Sequence, residues 1–349
     1  MPRTAVDLFC GSGGVTAGLK AAGWEVVAAL DNDPIAASTY QENHSEVKFV
    51  KHDIEAKIAL EEMREAVANR RIDLLVICAP CQPFSSQNRM KGNDPRQQLI
   101  IKSLKFVSLI QPTLVFFENV PGLAGPSHQS VLWELRTALS AVGYLVTDPL
   151  VRDASTFGVP QRRKRCIMVA AKSDAALDAF LGTDTTQPEK TVHDAIGRLR
   201  LLDSGEKHPS DTLHRARNHS ELALRRLAKI PKDGGSRASL PGELELRCHK
   251  GSKAFPDVYG RMSWNTVAPT LTTGCTDVTR GRFAHPAQDR AITLREAARL
   301  QTFDDDYHFV GNSSQIATQI GNAVPPAMIA HLATAFDAAL MKTSGDGGS

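Results

Sequence analysis

The chain has 349 residues, 42% hydrophobic and 23% charged, with a net charge of +3. These proportions exclude a disordered, collagen-like or disulfide-scaffold polypeptide, and the length favours one large domain carrying a smaller one. No run approaches the roughly 18 uninterrupted apolar residues of a membrane span, and the first residues lack the layout of a signal peptide. Six cysteines, several inside apolar runs, fit reduced thiols in a cytosolic protein that does not engage a membrane.

Over the first ~170 residues short apolar strands alternate with amphipathic stretches, the pattern of an α/β fold with a doubly wound, mostly parallel sheet. Strands are predicted at Ala5–Phe9, Val26–Leu30, Leu74–Cys78, Leu114–Phe117 and Cys166–Ala170. Helices are predicted at Val15–Ala22, Ile35–Asn43, Ile58–Ala68, Leu99–Ile110 and Ser130–Val142.

"AVDLFCGSGGVTAGL" places a strand, a glycine turn (Gly11, Gly13, Gly14) and a helix start within a few residues. Such a turn lets a ligand approach the backbone, and a helix N-terminus offers N–H groups. Asp31, 20 residues beyond Gly11 at the end of the next strand, is where a carboxylate accepts hydrogen bonds from ribose hydroxyls. The pattern points to a nucleoside cofactor, although the spacing is not a full GxGxxG and the turn can equally serve strand-to-helix packing. Asp53 closes a third strand-like run and could read an adenine amino group or sit in a surface turn.

"LLVICAPCQPFSSQNR" runs a buried strand into Pro80-Cys81-Gln82, which would bring Cys81 out at the carboxyl edge of the sheet, where ligands gather in open α/β folds. A thiol there can act as a nucleophile, whereas Cys78, inside the apolar strand, reads as core. Cys78 and Cys81 form a CxxC, but no second CxxC provides a zinc site, and a zinc deaminase would need cysteine where Phe84 stands. The polar Ser85–Gln98 stretch is long for a connection and reads as a mobile lid, a binding element or a disordered bystander. Glu118, ending "LVFFENV", is a candidate acid or a helix cap, and Arg163 and Arg165 in "QRRKRCIMV" would share a strand face.

From about Asp184 the rhythm breaks, with turn chemistry replacing periodicity. Between Lys190 and Arg282 there are 17 Lys/Arg against 10 Asp/Glu, leaving this stretch at +7 and the remainder at −4. That is the footprint of a polyanion-binding module or of a solvated surface. Histidines 193, 208, 214 and 219 lack metal-ligand spacing, so no metal is expected. Helical patterning returns at Thr293–Gln301 and Pro325–Met341, before a polar tail expected to be disordered.

Read in order, "DLFCGSGG", "PCQPFS", "ENV", "QRRKR", "RAITLREAARLQTF" and "QIGNAVPP" resemble the ordered blocks of the bacterial-type cytosine carbon-5 DNA methyltransferase family. The resemblance implies a Rossmann-like catalytic domain at 1–185 plus 312–349 and a smaller, irregular target-recognition domain and hinge at 186–311. It implies S-adenosylmethionine as methyl donor, without metal. Cys81 would attack carbon 6 of a flipped-out cytosine, Glu118 would hold ring N3 and must carry a proton to donate, and Arg163 and Arg165 would serve the base oxygen and nearby anions. Phe9, Gly11, Ser12, Gly13, Gly14, Asp31, Asn32, Asp53, Ile54, Pro80 and Leu99 would form the cofactor site, completed by Asn322, Ala323 and Val324. Gln82, Ser85, Gln87, Arg162, Gly235 and Thr270 would meet DNA. "QTFDDDY" lacks the proline that relatives commonly carry after the phenylalanine, implying a local turn difference.

The implied protein is a monomer acting on duplex DNA in a bacterial cytoplasm, associated with the nucleoid through that DNA and potentially paired with a restriction or defence system. The same chemistry on RNA such as tRNA, and a catalytically silent DNA-binding relative, remain as alternatives.

Overall fold

The computed structural model describes residues 2–81, 84, 94–246 and 255–343. Gln82, Ser85, Gln87, most of the polar stretch after Cys81 and the end of the C-terminal tail therefore lie outside the described residues.

Eight strands form one mixed sheet: β1 (Thr4–Leu8), β2 (Glu25–Leu30), β3 (Lys48–Val50), β4 (Leu74–Ile77), β5 (Leu114–Asn119), β6 (Leu145–Val146), β7 (Leu150–Asp153) and β8 (Lys164–Ala171). Their order is β3-β2-β1-β4-β5-β8-β6, with β7 also paired to β8. β1 to β5 run parallel, β8 is antiparallel to β5, and β6 and β7 are antiparallel to β8. β1 and β4 are buried at every residue, as expected where helices cover both faces; β4 is an unbroken apolar run, and β1 is apolar apart from Thr4 and Asp7. β6 and β7 carry no such run and sit partly exposed at the edge, which is why apolar patterning did not announce them.

Among the described residues the helices are α1 (Gly14–Ala21), α2 (Pro34–Asn43), α3 (Lys57–Ala66), α4 (Leu99–Lys102), α5 (Leu104–Ile110), α6 (Gln129–Ser140) and α7 (Asp174–Gly182). They continue as α8 (Val192–Ile196), α9 (Glu221–Lys229), α10 (Leu294–Leu300), α11 (Ser313–Asn322) and α12 (Pro326–Thr343). The single helix expected at Leu99–Ile110 is divided at Ser103, whose hydroxyl donates to the Ile100 carbonyl at 2.7 Å.

The chain forms two compact units, Met1–Phe157 with Lys164–Gln187 and Val324–Ser349, and Gly158–Arg163 with Pro188–Ala323. This division differs from the sequence-based one at two places. Residues 158–163 and α11, read as parts of the catalytic domain, fall in the second unit. There Arg163 donates to the carbonyls of Leu271, Gly321 and Ala323 at 3.1, 2.9 and 3.0 Å, and Asn312 and Gln315 close a capping box at the start of α11.

One face of the first unit's sheet packs Leu8, Leu75 and Phe117 against Met63, Phe106 and Leu135. On α12, Phe336 gathers Trp24, Phe116 and Phe180 at ring distances of 6.2, 5.2 and 5.7 Å. α1 crosses α12 at Gly18, where a Cβ would stand 2.4 Å from the Pro326 carbonyl oxygen. By length and composition Ser313–Thr343 could cross a membrane, but 61% of its most apolar window is buried inside the protein, as in a core helix.

The second unit has isolated bridges and no named strand among its described residues, so side chains must satisfy backbone carbonyls that a ladder would otherwise pair. Arg261, fully buried, donates to the carbonyls of Leu227, Ile230 and His285 at 2.7, 3.2 and 2.9 Å and pairs with Asp289. Arg290, equally buried, binds both carboxylate oxygens of Glu296 and the carbonyls of Leu202 and Ala291. Part of the basic excess read from the sequence is thus internal scaffolding.

Candidate active site

Because β2, β1, β4 and β5 are parallel neighbours, their C-terminal ends open onto one edge, and the chemistry-bearing residues of the first unit follow those ends. After β1 the backbone takes positive φ at Phe9, Gly11 and Gly13 (58°, 52° and 90°), and α1 starts from Gly13. The bend is tied to β2 by Asp31, which accepts the Gly11 N–H at 2.8 Å and the Asp33 N–H at 2.9 Å. Burial pushes the Asp31 carboxyl above its ordinary range, against the pull of these N–H groups. Beneath the turn, Asp7 is fully buried and accepts the Thr16 hydroxyl at 2.9 Å, and burial pushes its carboxyl up to about 7.

A cavity of about 410 Å³ opens beside this turn, lined by Phe9, Leu30, Asp31, Asn32, His52, Asp53, Ile54, Glu55, Pro80, Arg96, Leu99 and Lys102. Asp53 accepts Asn32 Nδ2 at 3.1 Å and the Glu55 N–H at 2.9 Å, and Lys102 pairs with Glu55 at 2.7 Å. Phe9, Asp31, Asn32, Asp53, Ile54, Pro80 and Leu99 were all expected at a cofactor; His52, Glu55, Arg96 and Lys102 were not, since isolated charged residues give no pattern to read. Gly11, Ser12, Gly13 and Gly14 form the turn and are not on the cavity lining. Asn322 is exposed at the end of α11, Ala323 follows as its cap, and Val324 is buried.

β4 ends at Ile77, so Cys78 emerges just past the strand, where burial and the charge of Glu118 push its thiol well above the ordinary range. Cys81 is half-buried three residues on, its Sγ 3.9 Å from the Ala79 carbonyl oxygen. Asp7 and Cys81 add to that upward push on Cys78, and Arg165 opposes it. Cys10 is likewise held protonated by burial and by Asp7.

The register of β5 with β8 pairs Glu118 with Ile167, so Arg165, two residues along β8, shares the face of Glu118 as its diagonal neighbour. Arg165 Nε reaches Glu118 Oε1 at 2.7 Å with both side chains nearly excluded from solvent. The approach lies off the line of the N–H: it is an ion pair, and Oε1 retains no aligned hydrogen bond. Arg163 does not share this strand face, as expected from alternation, because β8 begins at Lys164 and the Arg163 guanidinium is turned onto backbone carbonyls of the second unit.

A cysteine, an Arg–Glu pair and an acid-lined cavity thus share one edge of the sheet. The model of the C-5 cytosine-specific DNA methylase family matches residues 3–337. The chain belongs to that family. It is 37% identical over 335 residues to the Type II methylase M.HgiDII of Herpetosiphon aurantiacus, covering 94% of this chain and 93% of that protein. It is 30% identical over 344 residues to the Type II methyltransferase M1.HphI of Haemophilus parahaemolyticus, covering 96% and 87%. Among solved structures, a DNA modification methyltransferase encoded within an E. coli prophage superposes with a TM-score of 0.74 at 24% identity over 98% of this chain and 99% of that one. S. pombe Dnmt2 methyltransferase gives 0.64 at 17% identity over 99% and 100%. The protein is a DNA (cytosine-5-)-methyltransferase.

In the methylase's second unit, Gln161, fully buried, accepts the Leu271 N–H at 2.9 Å and donates to Gln301 at 2.5 Å, and Gln301 donates to the Ala323 carbonyl at 2.5 Å. With Arg163 they knit three of the family's blocks together, a role that the block letters do not disclose. Arg162 and Thr270, expected at DNA, are both exposed, and the Thr270 hydroxyl donates to the Arg162 carbonyl at 2.7 Å. The Gly235 carbonyl is taken by Arg261 and Arg282, and a Cβ there would meet the Pro231 carbonyl oxygen at 2.1 Å, so an internal turn already requires this glycine. In "QTFDDDY", Asp305 anchors Arg299 and Arg295 of α10.

Proposed function

We propose that the methylase transfers a methyl group to carbon 5 of a flipped-out cytosine in a specific duplex DNA sequence, through a covalent bond between Cys81 and carbon 6. The observation that carries this reading is geometric: the Ala79 carbonyl, which Cys81 Sγ approaches at 3.9 Å, also accepts from Asn119 at 3.0 Å, so the Cys81 loop is held beside the Glu118–Arg165 pair on the sheet edge that bears the Asp31–Asp53 cavity.

Cytosine is too electron-rich at carbon 5 to react unaided. Addition of the Cys81 thiolate at carbon 6 moves the ring's electron pair toward carbon 5 and N3. Glu118, ion-paired to Arg165 before the base enters, takes up a proton and donates it toward N3, limiting the charge there, and Arg165 orients Glu118 and faces the base oxygen. Once that electron pair has bonded carbon 5 to the transferred methyl, loss of the carbon-5 proton and elimination of the Cys81 thiolate restore the aromatic ring and the enzyme.

The cavity fits S-adenosylmethionine, which when bound supplies an electrophilic methyl on a sulfonium. Asp31 retains lone pairs toward a ribose, Asp53 can accept an adenine amino group, and Phe9, Ile54 and Leu99 offer apolar walls. A base inside a duplex exposes neither face to Cys81, so it must leave the stack.

The second unit is read as the target-recognition domain, with Arg162 and Thr270 toward DNA, and Gln82, Ser85 and Gln87 as further DNA-facing residues outside the described ones. The kinship with Type II enzymes supports a restriction-modification context, and we read the enzyme as a monomer working in a bacterial cytoplasm. Duplex DNA containing 5-fluorocytosine tests the mechanism: the wild type should form a stable adduct, and a Cys81→Ser protein that still formed it would refute the reading.

A further inference from the structure

The reaction places a demand on Cys81 that no reacting group meets: its sulfur must stand within bonding reach of carbon 6 while Glu118 holds N3. The loop carrying it is gripped on either side of the cysteine by one short segment that begins with the last residue of β5. Asn119, fully buried, donates from Nδ2 to the Ala79 carbonyl at 3.0 Å, and its Oδ1 accepts the Val120 N–H at 2.9 Å. The same Ala79 carbonyl is the group that Cys81 Sγ approaches at 3.9 Å. Beyond the cysteine, the Phe84 N–H returns to the Cys81 carbonyl at 3.1 Å, and the Phe84 ring is buried edge-on to His128. Gly122 lies so close to Phe84 that a Cβ would stand 1.8 Å from its carbonyl oxygen, a backbone atom that cannot swing aside.

We infer that Asn119 and Gly122 form a two-point clamp that sets the position of the Cys81 sulfur, with Asn119 a positioning residue that never touches the base. The inference rests on the reading of Cys81 as nucleophile. An amide is required at 119, because the site asks one short side chain to donate to Ala79 and accept from Val120. A carboxylate turns an anion onto the Ala79 carbonyl, and an apolar residue abandons two buried backbone groups. Since Glu118 and Asn119 are consecutive in β5, the group that would hold N3 and the group that holds the nucleophile's loop are in fixed covalent register. A displacement of about 1 Å between reacting groups costs on the order of 100-fold in rate.

Single-turnover methylation of duplex DNA, with 5-fluorocytosine trapping to count active sites, separates positioning from folding. Asn119→Asp is expected to lower the single-turnover rate about 100-fold at near-normal trapping amplitude, with KM for DNA and for S-adenosylmethionine little changed. Relative to wild type its rate should recover toward low pH, where a protonated carboxyl again donates to Ala79, and Asn119→Ala should show no recovery. A rate close to wild type, or a lost amplitude at an unchanged rate, would overturn the clamp. Should Asn119→Asp fail to fold, Gly122→Ala carries the same expectation for rate and trapping amplitude, without the recovery at low pH, and the same refutation. Persistence of the adduct in Cys81→Ser would sink the underlying mechanism, whereas its loss there together with a normal rate in Asn119→Asp would sink the clamp alone.

Discussion

Asp31 closes on the backbone N–H of Gly11 at 2.8 Å, fastening the end of β2 to the turn that follows β1. One carboxylate therefore both shapes the turn and faces the cavity. In Asp31→Asn the amide keeps one acceptor and sets an N–H against a backbone donor. Hydrogen bonds to charged groups are worth about 1.5–3 kcal/mol, so affinity for S-adenosylhomocysteine should fall about 10- to 100-fold. Titration calorimetry reads this directly, and an unchanged affinity would remove Asp31 from the cofactor site.

The Arg165–Glu118 pair predicts a separation of stability from activity. Arg165→Ala strands a buried carboxylate, which costs about 3–5 kcal/mol, and should slow methyl transfer at least 100-fold. Adding Glu118→Gln removes the stranded charge, so urea unfolding should show much of the lost stability restored, while single-turnover assays show no return of activity. Recovery of both together would mean that the pair serves only the fold.

Asp7 predicts an inverted pH dependence. Its folded carboxyl sits at about 7 against an ordinary 3.8, so between those values the folded state binds the extra proton and stability falls as pH rises. That difference corresponds to roughly 4 kcal/mol, complete above neutrality. His44 and His285, lowered to about 4 by burial, act oppositely, losing stability as pH falls from 6.5 toward 4. The difference between wild type and Asp7→Asn isolates the carboxyl: the variant should gain progressively from pH 4 to 8 in thermal unfolding. A constant difference across that range would contradict it.

The parallel half of the sheet was legible because its buried strands are mostly apolar runs, and Cys81, Glu118 and Arg165 because each follows or adjoins such a run. β6, β7 and α11 escaped notice: the strands are short and half-exposed, and residues 313–322 were assigned no helix although Asn312 and Gln315 spell a capping box. Arg163 misled for a different reason. Alternation along "RRKR" gives the correct face only if all four residues are in the strand, and the strand starts one residue after Arg163. Asn119 and Gly122 lie inside a block already noted for Glu118, yet their partners Ala79 and Phe84 are distant in sequence, and no local period reports such a meeting.

Arg261 tests whether the basic character of the second unit belongs to its fold or to its ligand. Its guanidinium is the shared donor for the carbonyls of Leu227 and Ile230 at the end of α9 and of His285. Arg261→Met keeps the volume and removes every donor, so about 3 kcal/mol or more of local stability should be lost, and hydrogen exchange should accelerate over 221–230. Exposed Lys190, Arg198, Arg215 and Arg280 are placed differently. Neutralising these four should flatten the dependence of log DNA affinity on log salt, by nearly one unit of slope for each phosphate that no longer meets a cation. Arg261→Met, measured where it remains folded, should leave that slope alone because a fully buried cation releases no counterion. If the slope flattens in Arg261→Met and not in the surface variant, the buried arginines are the DNA-facing ones and the division between scaffold and interface must be reversed.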